Sequence, residues 1–182
     1  MKRRVYSKRT TIEVEVCTAL SLENEIKNQN ILKIENSKSS KIPILKNEAF
    51  ELDLRNFYIE SIEPYTFIDS PRLKTLRLDE NIVKFLNTYS FSKLENLQIL
   101  ELSNNMIKQI EPYTFDGLGA LQKLYLNNNQ IKHIQVNSFT GLNNVKEIDL
   151  SYNQIESIEI YTFKCLKKLE TLNLINNKLK SV

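Results

Sequence analysis

The sequence predicts an α/β-type repeat solenoid, in which successive turns of chain stack side by side. First, five phenylalanines recur every 24 residues: Phe67, Phe91, Phe115, Phe139 and Phe163. Second, apolar and polar residues alternate over a short stretch of each 24-residue unit, which is typical of a strand with one buried face. Third, most units carry an asparagine at the same place. We therefore expect stacked turns whose short strands form a parallel β-sheet above a shared core.

The repeat unit is defined by residues 97–120, LQILELSNNMIKQIEPYTFDGLGA, with apolar residues at positions 1, 4, 6, 11, 14, 19 and 22. Repeats 1 to 6 begin at residues 49, 73, 97, 121, 145 and 169, and repeat 6 is truncated at Val182. Repeat 1 departs from the pattern, since Phe57 stands where later repeats carry asparagine and Ser70 replaces the leucine of position 22. These repeats form the domain 49–182.

Two positions of the repeat are assigned structural roles. Position 9, where the chain leaves the strand, is Asn81, Asn105, Asn129, Asn153 and Asn177 in repeats 2 to 6. An amide both donates and accepts, so it can satisfy the backbone groups of neighbouring repeats that a buried bend would otherwise leave unpaired. The phenylalanine of position 19 is expected to pack as a column from repeat to repeat.

The pattern LxxLxLxxNxIxxIxxxxFxxLxx resembles the leucine-rich repeat, and its 24-residue length with a late phenylalanine resembles the type found mostly in extracellular proteins. The resemblance covers residues 49–182 and implies a curved horseshoe with the parallel β-sheet on its concave face and mostly irregular or 3-10 segments on its convex face. It also implies recognition of proteins through the concave face, without cofactors. The entry segment, ILKIENSKSSKIPILKNEAFELDLRNFYIESI, resembles the first repeats of secreted insect leucine-rich proteins, including leucine-rich immune proteins. The resemblance therefore points to innate immunity or to a receptor ectodomain.

The residues before the repeats divide into two segments. Residues 1–10 are basic and are expected to be disordered. Residues 11–48 are expected to cap the stack, with an edge strand at Thr11–Val16 and a degenerate first repeat in which Ile34 precedes Leu54 by 20 residues. The other end is expected to be uncapped, which offers a surface for homo- or heterodimerisation.

Localisation is open from the sequence alone. No apolar run is long enough to span a membrane, and no signal peptide follows the basic start, where Glu13 and Glu15 interrupt the apolar stretch. None of the 21 asparagines begins an Asn-x-Ser/Thr acceptor site. The extracellular type of repeat favours secretion, and a cytoplasmic protein is the alternative. Cys17 and Cys165 are expected to lie too far apart in the stack to form a disulfide.

The sequence gives no indication of an enzyme or of a metal site. The single histidine, His133, is expected at the surface, and no phosphate-binding loop, nucleophile elbow or metal-ligand cluster is present. The carboxylates fall at repeat positions that face solvent. We expect no catalysis, no nucleic-acid ligand and no membrane span in this chain.

The candidate partner-binding site lies on the concave face, where positions 3, 5, 7 and 8 point away from the core. Charges alternate at position 5 from Asp53 through Arg77 to Glu101, and intramolecular pairing is expected there. Aromatic and amide side chains follow, and the predicted site comprises Ile99, Glu101, Tyr125, Asn127, Asn128, Asp149 and Tyr152. Tyrosine suits an interface because it combines apolar area with a polar tip. A second stripe of tyrosines, at position 17 of the outer wall, is interpreted as structural.

The predicted function is thus a non-enzymatic protein-recognition module that binds its partner on the concave face. An intracellular scaffold or adaptor is the alternative. A signal peptide and a cysteine-rich cap in a longer transcript would distinguish the first from the second.

Overall fold

The computed structural model describes residues 2–6, 11–15, 31–34 and 49–180, and nearly all of its regular structure is short strands. Three strands precede the repeats: β1 (Lys2–Tyr6), β2 (Thr11–Glu15) and β3 (Ile31–Ile34). The repeats contribute β4 (Glu51–Asp53), β5 (Ser61–Ile62), β6 (Thr75–Arg77), β7 (Phe85–Leu86), β8 (Ile99–Glu101), β9 (Lys123–Tyr125), β10 (His133–Ile134), β11 (Glu147–Asp149), β12 (Ser157–Ile158) and β13 (Thr171–Asn173). No helix is assigned within these ranges.

The strands at positions 3 to 5 of the repeats build the main sheet. Over the described residues it has nine strands, in the order β13-β11-β9-β8-β6-β4-β3-β1-β2. From β3 to β13 every neighbouring pair is parallel, and each repeat pairs with the next in a register of 24 residues, as Leu100 does with Leu124. The predicted parallel sheet is confirmed. The convex side consists mainly of turns and bends, in line with the expected irregular segments.

A second, shorter ladder forms at positions 13 and 14, which the sequence analysis did not predict. β5 pairs in parallel with β7, and β10 pairs in parallel with β12. Between these pairs Leu86 and Ile110 form an isolated parallel bridge. Repeats 1 to 3, and repeats 4 and 5, are therefore joined along two lines of strand pairing, one on the concave face and one on a flank.

The core between these ladders is a continuous stack of leucine, isoleucine and phenylalanine. The side chains of Phe67, Phe91, Phe115 and Phe139 are fully buried. Consecutive rings of the column, which ends at Phe163, are nearly parallel, with centroids 5.6–6.2 Å apart. Such offset stacks add about 0.5–1.5 kcal/mol per pair to the burial of the rings. At the last repeats the core becomes only partly buried, as at Leu172 and Leu174.

The asparagines of position 9 join consecutive repeats. Asn129 Oδ1 accepts from the amide of Ile107, and its Nδ2 donates to the carbonyls of Leu102 and Leu126, all at 3.0 Å. The same pattern occurs at Asn81, Asn105, Asn153 and Asn177. Each of these side chains therefore satisfies an amide of the preceding repeat and carbonyls of both repeats.

Hydroxyl side chains at position 18 fasten the convex turns. Thr66, Thr114 and Thr162 donate to the carbonyl three residues earlier, at 2.7–2.8 Å. Ser90 and Ser138 instead donate to carbonyls of the preceding repeat, at 2.9 and 3.2 Å. The hydroxyl thus caps the turn just before the buried phenylalanine.

The segment before the repeats differs in part from its prediction. Thr11–Glu15 forms the outermost strand of the sheet, at the edge where a cap is expected. β3 pairs with β4 in the register that places Ile34 beside Leu54. The basic start was expected to be disordered, but Lys2–Tyr6 forms a strand that pairs with both β2 and β3. Val16 and Cys17 lie outside the described residues.

Candidate functional site

The concave face presents side chains in rows that run across the strands. Position 5 forms one row, because Asp53, Arg77, Glu101, Tyr125, Asp149 and Asn173 are consecutive partners in the parallel register. Position 3 forms a second row, in which Ile99 lies beside Lys123 and Lys123 beside Glu147. Of the predicted site residues, Glu101, Tyr125 and Asp149 are therefore immediate neighbours on three adjacent strands.

At the end of the site nearest β4, the charged side chains pair with one another. Arg55 forms a two-bond ion pair with Asp53, with its Nη2 2.8 Å from Oδ2 and its Nε 3.0 Å from Oδ1. Arg77 Nε donates to Glu51 Oε1 at 3.0 Å, diagonally across the strands. Intramolecular pairing occurs, but the Arg55–Asp53 bonds run along one strand and the Arg77–Glu51 bond runs diagonally, so neither joins two residues of the position-5 row in which pairing was expected.

Two carboxyl groups beside these arginines have raised pKa values. Burial raises the pKa of Asp79, whose Oδ1 is buried without a hydrogen-bond partner. Burial likewise raises the pKa of Glu101, and the nearby charge of Asp79 raises it further. Arg55 and Arg77 oppose these shifts by stabilising the ionised forms. The carboxylate of Glu101 is thus a half-buried, desolvated group at the edge of the predicted site.

Tyr125 sits in a polar cluster that the sequence analysis missed. Lys123 Nζ and Glu147 Oε2 form an ion pair at 3.1 Å on the strands that carry Tyr125 and its neighbour Asp149. Burial raises the pKa of Tyr125, Glu147 raises it further, and Lys123 opposes both. The hydrogen bond with Glu147 is the main reason that the pKa of Lys123 is raised. Lys123 and Glu147 are opposite charges at position 3 of adjacent repeats, so the aligned repeats could have identified this pair.

Tyr152 occupies a backbone position that favours asparagine. Position 8 has φ between 54° and 61° in all six repeats, in the left-handed region that bulky residues seldom adopt. Four of these residues are asparagine, and the exceptions are Glu80 and Tyr152. Tyr152 is 57 % exposed. Its left-handed backbone carries a large ring that points away from the core, and an exposed ring at a position that is asparagine in most repeats suggests a functional role.

The remaining polar residues of the predicted site are partly held by their neighbours. Asn127 Oδ1 accepts from Ser103 Oγ at 2.6 Å. Asp149 Oδ1 accepts from both the amide and the hydroxyl of Ser151, at 2.8 and 2.6 Å. Asn128 is exposed in the turn that follows β9. Their hydrogen bonds fix the orientation of Asn127 and Asp149 on the concave face.

The tyrosine stripe at position 17 lies on the opposite wall. Tyr65, Tyr89, Tyr113 and Tyr161 are all exposed and all have positive φ, and Asn137 replaces the tyrosine in repeat 4. The rings of Tyr65 and Tyr89 are stacked, with centroids 6.3 Å apart, and Lys164 Nζ lies 5.5 Å from the centre of the Tyr161 ring. These contacts between and within repeats agree with the structural interpretation of the stripe.

Other classes of site receive no support from the described part of the chain. It contains no group of three or more His, Cys, Asp or Glu residues placed to hold a metal ion. Nor does it contain a helix of the length and apolarity that a membrane crossing requires. Cys165 is a free thiol whose Sγ lies 3.4 Å from the carbonyl oxygen of Phe139, and burial raises its pKa. A raised pKa keeps this thiol protonated and poorly nucleophilic.

Comparison with known proteins gives a family and one informative structure. The leucine rich repeat family profile matches residues 71–131 and 120–179, which together cover more than half of the chain. A search of curated proteins gives no significant match. Among solved structures, the crystal structure of a TLR13–ssRNA13 complex is similar at 29 % identity, with a TM-score of 0.61. The similarity covers 78 % of this chain but only 24 % of that chain. The chain also has a 24-residue register, asparagines that join consecutive repeats and a parallel concave sheet. It belongs to the leucine-rich repeat family, whose members are protein-interaction modules.

Proposed function

We propose that this protein is a non-enzymatic recognition module that binds a protein partner on its concave face. The site consists of Ile99, Glu101, Tyr125, Asn127, Asn128, Asp149 and Tyr152. The observation that carries the proposal is Tyr152, which is exposed although it occupies a left-handed backbone position where most repeats carry asparagine. No side-chain hydrogen bond or ring contact of Tyr152 within the described residues accounts for this choice, whereas binding would.

The rigidity of the concave sheet also supports this face as the binding site. Each strand of the site is joined to two others by backbone hydrogen bonds, and the leucines beneath are fully buried. A partner that docks here would therefore lose little free energy in ordering the site. Tyrosines surrounded by amides are also frequent among the residues that dominate binding energy at interfaces.

The charge of the concave face favours a protein partner with basic groups over a nucleic acid. Positions 3, 5, 7 and 8 of the repeats hold seven carboxylates and three cationic side chains: Glu51, Asp53, Asp79, Glu80, Glu101, Glu147 and Asp149 against Arg55, Arg77 and Lys123. Nucleic-acid affinity depends on cationic side chains that neutralise phosphates. The similar TLR13 chain was solved with a single-stranded RNA, but this concave face is acidic.

An extracellular setting, in innate immunity or in a receptor ectodomain, is the context that we propose. The 24-residue repeat type and the similarity to the TLR13 structure support it. The absence of Asn-x-Ser/Thr sequences among the 21 asparagines fits the second candidate, an intracellular scaffold or adaptor, and fits equally an extracellular protein whose surfaces are left bare for contact.

The test uses two double variants that remove two tyrosines each. Tyr125→Ala with Tyr152→Ala removes the aromatic side chains of the proposed site. Tyr65→Ala with Tyr89→Ala removes a stacked pair from the outer wall. Each variant and the wild type are immobilised and incubated separately with extracellular fluid and with cytosolic extract. Captured proteins are identified by mass spectrometry and then purified for affinity measurement by surface plasmon resonance.

The expected result is a partner from extracellular fluid that binds the wild type and the outer-wall variant. For that partner, the concave variant should weaken binding at least about tenfold, since aromatic hot spots carry about 2 kcal/mol or more. Circular dichroism should show that this variant remains folded, whereas the outer-wall variant should melt at a lower temperature. If the outer-wall variant loses the partner and the concave variant keeps it, the convex wall is the binding surface. A partner found only in the cytosolic extract would support the scaffold.

A further inference from the structure

A polar groove on the flank of the stack has a composition unlike that of the concave face. It has a volume of about 420 Å³ and lies beside the second ladder, between repeats 3 and 5. Two lysines and one histidine line it, namely Lys108, Lys132 and His133. The rest of the lining is amide: Gln109, Gln130, Gln135 and Gln154. None of these lining side chains is acidic.

The two lysines do not form the bonds that four other lysines of the described repeats form with a neighbouring repeat. Those four each bond an acceptor 24 residues away: Lys84 with Glu60, Lys123 with Glu147, Lys146 with Glu170 and Lys168 with Asn144. Lys108 and Lys132 are themselves 24 residues apart, and the amide of Lys132 donates to the carbonyl of Lys108. Two like charges therefore face each other in adjacent repeats, and neither ammonium has an ion-pair partner within residues 49–180.

The carboxylates nearest the groove do not neutralise these lysines. Gln109 Nε2 donates to Glu111 Oε1, and the amide of Val136 donates to Glu159 Oε2 at 3.0 Å. Glu156 follows Lys132 at the same repeat position, but it forms no ion pair with it. The groove therefore retains positive charge in a concave site, where an anion would relieve the repulsion between the two ammonium groups.

The remaining donors suit the rest of a small ligand. His133 Nδ1 lies 3.0 Å from Ser157 Oγ, so when Ser157 donates its proton there, Nε2 carries a proton and can donate to an oxygen. Each glutamine amide offers donors and an acceptor, which match hydroxyl groups. Pockets for small molecules usually have volumes of about 300–1,000 Å³, and this groove lies within that range.

We propose that this flank groove binds a sugar that carries a phosphate or sulfate ester. The oxyanion lies between Lys108 and Lys132, where charge-assisted hydrogen bonds are strongest. The hydroxyl groups of the ring bond to the glutamines. This site is separate from the tyrosine site of the concave face, and it does not depend on the function proposed there.

The experiment measures binding of glucose 6-phosphate, glucose 6-sulfate and glucose by titration calorimetry and by amide chemical shifts. Lys108→Gln with Lys132→Gln removes both charges but keeps side chains of similar size. The matched control is Lys74→Gln with Lys167→Gln, which changes the net charge equally at surface positions outside the groove. All four lysines are exposed, so both double variants should melt close to the wild type.

At least one ester should bind the wild type saturably, with shifts centred on Lys108, Lys132 and His133, while glucose binds far more weakly. The groove variant should weaken ester binding by about tenfold or more, and the charge control should leave it unchanged. Preference for one ester identifies whether the natural ligand carries phosphate or sulfate. The proposal is overturned if neither ester binds, if glucose binds as well as the esters, or if both double variants lose binding equally. Tyr125→Ala with Tyr152→Ala should not affect this binding, so the two sites can fail independently.

Discussion

Asparagine serves two separate purposes in this chain, and both depend on its short amide side chain. At position 9 the amide replaces missing backbone partners between repeats, as at Asn105 and Asn129. At position 8, as at Asn104 and Asn128, it tolerates the positive φ of the bend that follows each strand. Adjacent asparagines in the sequence therefore have different physical roles. In repeat 5 position 8 is Tyr152, and neither of these roles of asparagine explains a tyrosine there.

Because the asparagines of position 9 bridge consecutive repeats, we expect two asparagine substitutions to differ widely in their effect on the free energy of unfolding. Asn129→Ala should lower the free energy of unfolding by about 1–3 kcal/mol, because it leaves a buried amide and two buried carbonyls without their side-chain partner. Asn143→Ala should change it by less than about 0.5 kcal/mol, since Asn143 is exposed. Urea unfolding followed by circular dichroism measures both. Equal stability of the two variants would show that the position-9 amides do not stabilise the stack.

At the scale of the elements, the convex turn between position 19 and the next strand is less uniform than the strands are. Position 21 carries Lys93 with a φ of 70°, but Gly117 and Gly141 with φ of 93° and 98°. In repeat 4 the backbone of the preceding repeat lies so close that a Cβ on Gly141 would be 2.5 Å from the carbonyl oxygen of Phe115. The same position thus accepts a long side chain in one repeat and requires glycine in another.

The close approach of the backbone to Gly141 predicts that two glycine substitutions have different effects on the free energy of unfolding. Gly141→Ala should lower the free energy of unfolding by about 1–3 kcal/mol, because both the contact and the positive φ oppose a Cβ. Gly119→Ala should be neutral or raise it by up to about 1 kcal/mol, since nothing lies within 4 Å of its Cβ and the unfolded chain loses freedom. Thermal and urea melts of both variants provide the comparison. If Gly141→Ala were tolerated as well as Gly119→Ala, the convex turns would be free to shift.

At the scale of the whole molecule, the sequence predicted the register of the repeats but missed the features that depend on side-chain rotamers, on backbone angles or on the segment without repeats. The 24-residue period sets the register of the parallel sheet, so the row of Glu101, Tyr125 and Asp149 could be predicted before the structure was known. The ion pair of Lys123 with Glu147 depends on side-chain rotamers, and the strain at Tyr152 depends on backbone angles. The period places Lys123 beside Glu147 and Tyr152 at position 8, but it specifies neither the rotamers nor the backbone angle. The strand at Lys2–Tyr6 was missed because that segment has no repeat from which a register could be read.

Because each repeat contacts only its neighbours, we expect the same substitution to change the free energy of unfolding by different amounts at different places along the stack. Leu124 and Leu172 occupy position 4 in repeats 4 and 6, but Leu124 is fully buried between two repeats and Leu172 is only partly buried. Leu124→Ala should lower the free energy of unfolding by about 2–5 kcal/mol, because it leaves a cavity that the flanking repeats cannot close. Leu172→Ala should have a clearly smaller effect, since its side chain is only partly buried and less apolar area is lost. Urea unfolding monitored by far-ultraviolet circular dichroism, with native-state hydrogen exchange to locate the loss, distinguishes the two. Equal losses in both variants would contradict a stack whose stability is a sum of neighbour contacts.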